Sequence, residues 1–101
     1  MPYIAIGDGK GTVATKHACD TATTTDKCST TVFVEDIGVV RAGDDNTSHT
    51  FPPTDSCPSH TVALSSYSES VRADGEWIGR VGDFYGLEEI TVAGQATVSS
   101  G

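Results

Sequence analysis

The chain has 101 residues and a formal charge of −8, from 14 acidic and 6 basic residues, and 37% of it is hydrophobic. This length makes one domain, 1–101, which buries roughly 65% of its unfolded surface, so its small core calls for additional staples. The acidic balance excludes a phosphate-binding face for nucleic acid and attraction to an anionic membrane surface, and no apolar run approaches the ~20 residues of a bilayer span.

The composition favours strands. Ten Val and five Ile stand against two Leu, with fourteen Thr and ten Ser. β-Branched side chains lose freedom on a helix and fit a pleated surface. Eleven Gly and four Pro interrupt any helical run. The predicted class is all-β. Met1 to Lys10 has neither a basic n-region nor an apolar h-region, so no cleaved leader is expected. Gly7-Asp8-Gly9-Lys10-Gly11-Thr12 lacks the spacing and following helix of a phosphate loop.

From Thr12 to Thr30 the chain reads as a polar loop holding His17, Cys19 and Cys28. Thr31-Val32-Phe33-Val34 then reads as a strand. The segment Thr31 to Asp44 aligns without gaps on Ser70 to Asp83. Its identities are Val32/Val71, Arg41/Arg80, Gly43/Gly82 and Asp44/Asp83. Asp36-Ile37-Gly38 and Asp74-Gly75 predict hairpin turns, so each copy is expected to be a hairpin with an Arg-x-Gly-Asp exit. Ala5-Ile6-Gly7-Asp8 fits that exit with Ala5 in place of Arg. A second polar loop, Asp45 to His60, holds His49, Cys57 and His60. The third loop, Phe84 to Gly94, is short, has no His or Cys, and includes the strand Ile90-Thr91-Val92. Gly94-Gln95-Ala96-Thr97-Val98 resembles the lead-ins to the two hairpins.

All three His and all three Cys lie outside the hairpins. Cys57-Pro58-Ser59-His60 is a Cys-x2-His pair, and that spacing lets one turn present a thiolate and an imidazole to one ion. His49 lies close enough in sequence to curl back. His17 completes a His3Cys set, with Cys19 as an alternative to His17. Four closed ligands make a structural zinc, Zn²⁺, one per chain. A different pairing, Cys19 with Cys28 as a disulfide, leaves Cys57 free and fits a secreted or surface all-β binding module. Catalysis is not expected. No Gly-x-Ser-x-Gly elbow occurs, and Glu88-Glu89 would point to opposite faces of a strand, which makes a poor acid–base pair. A zinc hydrolase would need an open coordination position. The chain also lacks an Asp-x-Asp-x-Asp-Gly calcium loop.

Arg41-Ala42-Gly43-Asp44 and Arg80-Val81-Gly82-Asp83, the Met1-Pro2 start followed by Gly7-Asp8, and the loop positions of His and Cys together resemble the PAAR-repeat proteins. These are the tips of contractile phage tails and type VI secretion spikes. The resemblance covers essentially the whole chain, although only Arg-x-Gly-Asp of the family motif is kept. It implies a small cone of β-hairpins with pseudo-threefold repetition and loops stapled by zinc at the apex. His17, His49, Cys57 and His60 would be the ligands. The implied partner is a trimeric β-helical spike protein, one tip per trimer, with transient contact to a target cell envelope. The implied location is the virion, or the bacterial cytoplasm before type VI export. No nucleic acid, small-molecule substrate or catalytic residue is implied.

Overall fold

A computed structural model describes residues 3–34, 36–51, 57–68, 71–92 and 94. Among them there are ten short strands and no helix. β1 (Thr12–Ala14), β2 (Ala22–Thr24), β9 (Phe84–Tyr85) and β10 (Glu88–Val92) form one antiparallel sheet in the order β2-β1-β10-β9. Three two-stranded hairpins complete the strands: β3 (Phe33–Val34) with β4 (Ile37–Gly38), β5 (His49–Thr50) with β6 (Ser59–His60), and β7 (Arg72–Ala73) with β8 (Glu76–Trp77). The all-β expectation holds.

The stretches read as polar loops are more ordered than expected. β1 and β2 lie in the first, β5 and β6 in the second, and β9–β10 turns the third into a hairpin. These strands are two to five residues long, and several are Thr-rich, so they show little alternation of apolar and polar residues. The strand expected at 31–34 spans only Phe33–Val34, and that expected at 90–92 begins earlier, at Glu88. The C-terminal segment 95–98 and Met1-Pro2 lie outside the described residues.

The two repeated hairpins close in the same way. Arg41 donates from its backbone N–H (2.9 Å) and its Nε (2.9 Å) to Asp44 Oδ2, and from Nη2 to Oδ1 (3.0 Å). Arg80 makes the same three bonds to Asp83, at 2.8, 3.1 and 3.3 Å. Between each pair a glycine holds positive φ, 87° at Gly43 and 93° at Gly82, a conformation that a Cβ disfavours. The Arg-x-Gly-Asp motif is thus a closed turn in which a guanidinium fork grips the carboxylate that ends it. Asp83 is buried and also accepts from Ser66 Oγ. Asp83→Ala removes the buried carboxylate and its three charge-assisted bonds from Arg80, and it is expected to cost about 2 kcal/mol, read as a lower urea midpoint at unchanged slope.

The centre is built from three non-adjacent segments. Isolated bridges join Ile4 to Arg80, Ile6 to Val39, and Arg41 to Ile78. The Ala5 N–H donates to the Gly79 carbonyl (3.0 Å), Gly79 to Val40 (2.8 Å) and Val40 back to Ala5 (3.0 Å), closing a ring. The next residues continue the pattern: Gly7, Ala42 and Val81 donate to Gly38, Trp77 and Tyr3. This register sets Asp8, at φ 55°, alongside Gly43 and Gly82, not alongside Asp44 and Asp83. The expected match of Gly7-Asp8 with the later Gly-Asp pairs is therefore one residue out. The ring's hydrogen bonds fix the register, and Asp tolerates the left-handed conformation better than most residues.

Side chains alternate along these segments and feed two cores. Ile4, Val39 and Ile78 pack with Ile6, Val34 and Ala73. Ala5 and Val40 pack with Val13, Leu64, Tyr85 and Ile90. Each large aliphatic side chain buried this way contributes about 1.5–3 kcal/mol. The second core holds β1, β9 and β10 against the ring and so carries the elements that hold the site.

Candidate metal centre

His49 and His60 are Cα partners in the β5–β6 ladder. Residues directly opposite on an antiparallel pair share a face, so both imidazoles leave it on the same side. His17 follows β1. Its loop is tied to β5 by Asp20, whose Oδ2 accepts from the Thr50 N–H and hydroxyl, each at 2.9 Å. Those bonds hold the Asp20 carboxyl below the usual carboxylate range. Glu88 opens β10. Alternation along that strand buries Glu88 and Ile90 and leaves Glu89 at the surface edge, paired with Lys16 at 3.0 Å.

The four side chains converge. Their donor atoms all lie within 4.8 Å of one another. Glu88 Oε2 is 2.7 Å from His17 Nε2, 2.9 Å from His49 Nε2 and 3.2 Å from His60 Nε2, and the His49 and His60 Nε2 atoms are 2.7 Å apart. His49 and Glu88 are almost fully enclosed, while His17 and His60 keep about a fifth of their side-chain surface. The ring of Phe51 stacks on His60 at 3.9 Å.

The outer hydrogen bonds decide what this cluster can do. His17 Nδ1 lies 2.9 Å from the Ala18 carbonyl, and His49 Nδ1 lies 2.8 Å from the Thr47 carbonyl. A carbonyl oxygen only accepts, so each Nδ1 carries the hydrogen. In the neutral imidazole, Nε2 is then a bare lone pair, and both lone pairs face the Glu88 carboxylate. The other neutral tautomer puts the hydrogen on Nε2 but aims the Nδ1 lone pair at the carbonyl instead, so neither neutral form satisfies both ends of the ring. A shared cation relieves the conflict, and carbonyl-anchored imidazoles are the usual second layer of a metal site. Without metal, protons do the same work. Burial opposes a charge on His17, but the Ala18 carbonyl and Glu88 outweigh it and raise its pKa. Burial likewise opposes ionised Glu88, but bonds from His49, His17 and Asn46 outweigh it and lower its pKa.

Three of the four ligands expected from sequence, His17, His49 and His60, are in this cluster. Cys57 is not: its sulfur is bonded to Cys19, with the Cα atoms 6.1 Å apart. A disulfide sulfur has no thiolate to offer a metal, and Glu88 is the fourth member instead. The alternative Cys19–Cys28 pairing is corrected as well, because Cys28 is a free, half-buried thiol whose pKa burial pushes up. Cys19 lies two residues after His17 and Cys57 three before His60, so the bridge clamps the two His-bearing loops together across 38 residues. Closing a loop of that length contributes about 4 kcal/mol in the chain-entropy account. Sequence reasoning missed Glu88 because it sits in the segment that lacks His and Cys. The available signal was the Glu-x-Ile alternation, which turns Glu88 inward with Ile90. The sequence matches no protein-family model and no curated protein.

Proposed function

We propose that this chain is a rigid, metal-stapled tip of the PAAR-repeat kind, which caps a trimeric β-helical spike protein in a contractile injection machine and pierces a target envelope. The observation that carries this reading is the ring formed by Ala5, Val40 and Gly79. A single chain that meets a threefold partner must present three comparable segments around one axis. The ring and the three bridged segments, two of which end in the same Arg–Asp turn, support such a pseudo-threefold frame. The extents of 40 × 23 × 22 Å suit a narrow tip. A trimeric β-helix ends in exposed strand edges, and a cap of this kind covers them.

At the cluster, one zinc ion would be held by His17, His49, His60 and Glu88. It would supply charge neutralisation and a crosslink between β5–β6, the His17 loop and β10. Four protein donors fill a tetrahedral ion's coordination and leave the metal a structural role, with no chemistry on a substrate. Force along the tip then meets loops that are locked twice, by metal and by disulfide.

Co-expression with a candidate trimeric spike protein tests the reading. One copy bound per trimer is expected. A one-to-one ratio per subunit, or no complex, overturns it. The Cys19–Cys57 bridge favours a second reading, a secreted or surface binding module, since such bridges persist in oxidising compartments. Under that reading the chain binds no spike trimer.

A further inference from the structure

We propose that Asn46 is the positioning residue that restricts Glu88 to one-oxygen coordination and so makes the centre selective for zinc-sized, four-ligand cations. The inference rests on the reading of the cluster as a metal site. Asn46 is completely buried, and its backbone N–H and both polar atoms of its side chain are engaged. Its N–H donates to the Val62 carbonyl (3.0 Å), its Oδ1 accepts from the Val62 N–H (2.9 Å), and its Nδ2 donates to Glu88 Oε1 (2.8 Å). The Val62 N–H on one side and Glu88 Oε1 on the other fix the side-chain amide, so its O and N cannot exchange places without losing a buried bond.

The consequence falls on the carboxylate. Glu88 Oε1 is held by the amide, and only Oε2 faces the three Nε2 atoms. A carboxylate binding through both oxygens would add a fifth donor and would have to draw Oε1 toward the ion against its buried bond from Asn46 Nδ2. Manganese and calcium take six or more oxygen-rich ligands, whereas zinc is content with four. Holding back one oxygen therefore discriminates by ligand number. Nitrogen donors discriminate against calcium and magnesium anyway, so the discrimination Asn46 adds is between zinc and larger transition ions.

The test uses the full chain loaded with cobalt(II), whose visible absorption is strong with four ligands and weak with five or six. Asn46→Ala removes the restraint but also the Val62 acceptor, and it is liable to fold poorly. Asn46→Asp keeps the volume and the acceptor for Val62 and replaces the donor by an oxygen that repels Glu88 Oε1. The expected result for Asn46→Asp is a weakened visible band. A roughly 10- to 100-fold loss of zinc affinity in chelator competition should accompany it, in line with other outer-layer changes. The zinc-over-manganese preference should narrow by about the same factor. A cobalt band and a metal preference identical to those of the unsubstituted chain overturn the role of Asn46 while leaving the metal centre standing. Failure of the unsubstituted chain to bind cobalt or zinc overturns the metal centre itself, and this inference with it.

Discussion

Glu88→Gln lowers zinc affinity by at least roughly 100-fold, whereas the double change Cys19→Ser, Cys57→Ser leaves one equivalent of metal bound. Glutamine keeps the shape and can still accept at one atom, but it removes the only anion among the four donors. The remaining three imidazoles would hold a doubly charged ion in a buried site without a counter-charge, which is costly in a low-dielectric interior. The affected group is a direct ligand, so the loss should exceed the 10- to 100-fold typical of outer-layer partners. Removing the two sulfurs takes away the clamp between the loops but none of the four converging donors. Metal content after gel filtration, together with chelator competition, separates the two variants. Metal lost from the serine pair and retained by Glu88→Gln would instead assign the fourth position to sulfur.

Stripping the metal with a chelator lowers the melting temperature by roughly 15–30 °C. An ion bound a thousandfold above its dissociation constant stabilises the native state by about 4 kcal/mol, and each kcal/mol shifts a domain of this size by about 4–8 °C. The pH dependence has opposite signs in the two forms. Metal binding needs neutral imidazoles, so the loaded form weakens as the pH falls through the ordinary His value of 6.5. In the stripped form, the raised pKa of His17 means that its pairing with Glu88 is fully present below 6.5 and fades as the pH rises through the folded-state value. The lowered pKa of Glu88 means that its contribution is present above its ordinary 4.5 and fades only as the pH falls through a still lower value. The two melting curves should therefore converge in the window below 6.5 and above 4.5. Calorimetry across that range checks it, and a gap that stays constant with pH would show that the imidazoles do not hold the stabilising ion.

The parts of this molecule that were legible in its sequence are those whose signal is local. Asp74-Gly75 marks a turn, and Arg-x-Gly-Asp marks a closed exit, because each is completed within a few residues. The three His could be grouped because imidazole is a favoured zinc ligand and all three lie in two loops. What escaped was decided by distant partners. β1 and β2 are three residues each, and β1 finds its second neighbour in β10, near the other end of the chain. The Cys-x2-His spacing at Cys57 is suited to a ligand, but spacing says nothing about Cys19 coming within bonding reach. Glu88 is the sharpest instance. The alternation that ruled out Glu88-Glu89 as a catalytic pair is the same alternation that sends Glu88 alone into the cluster.

The ring through Ala5, Gly79 and Val40 also bears on how the molecule comes off the ribosome. Each segment gives one bond and receives one, so any two of them alone leave a donor and an acceptor open. The centre cannot close until Gly79 has emerged, by which time most of the chain has been synthesised. Nascent chains shorter than that should stay protease-sensitive however long translation is paused, and protection should arrive in one step.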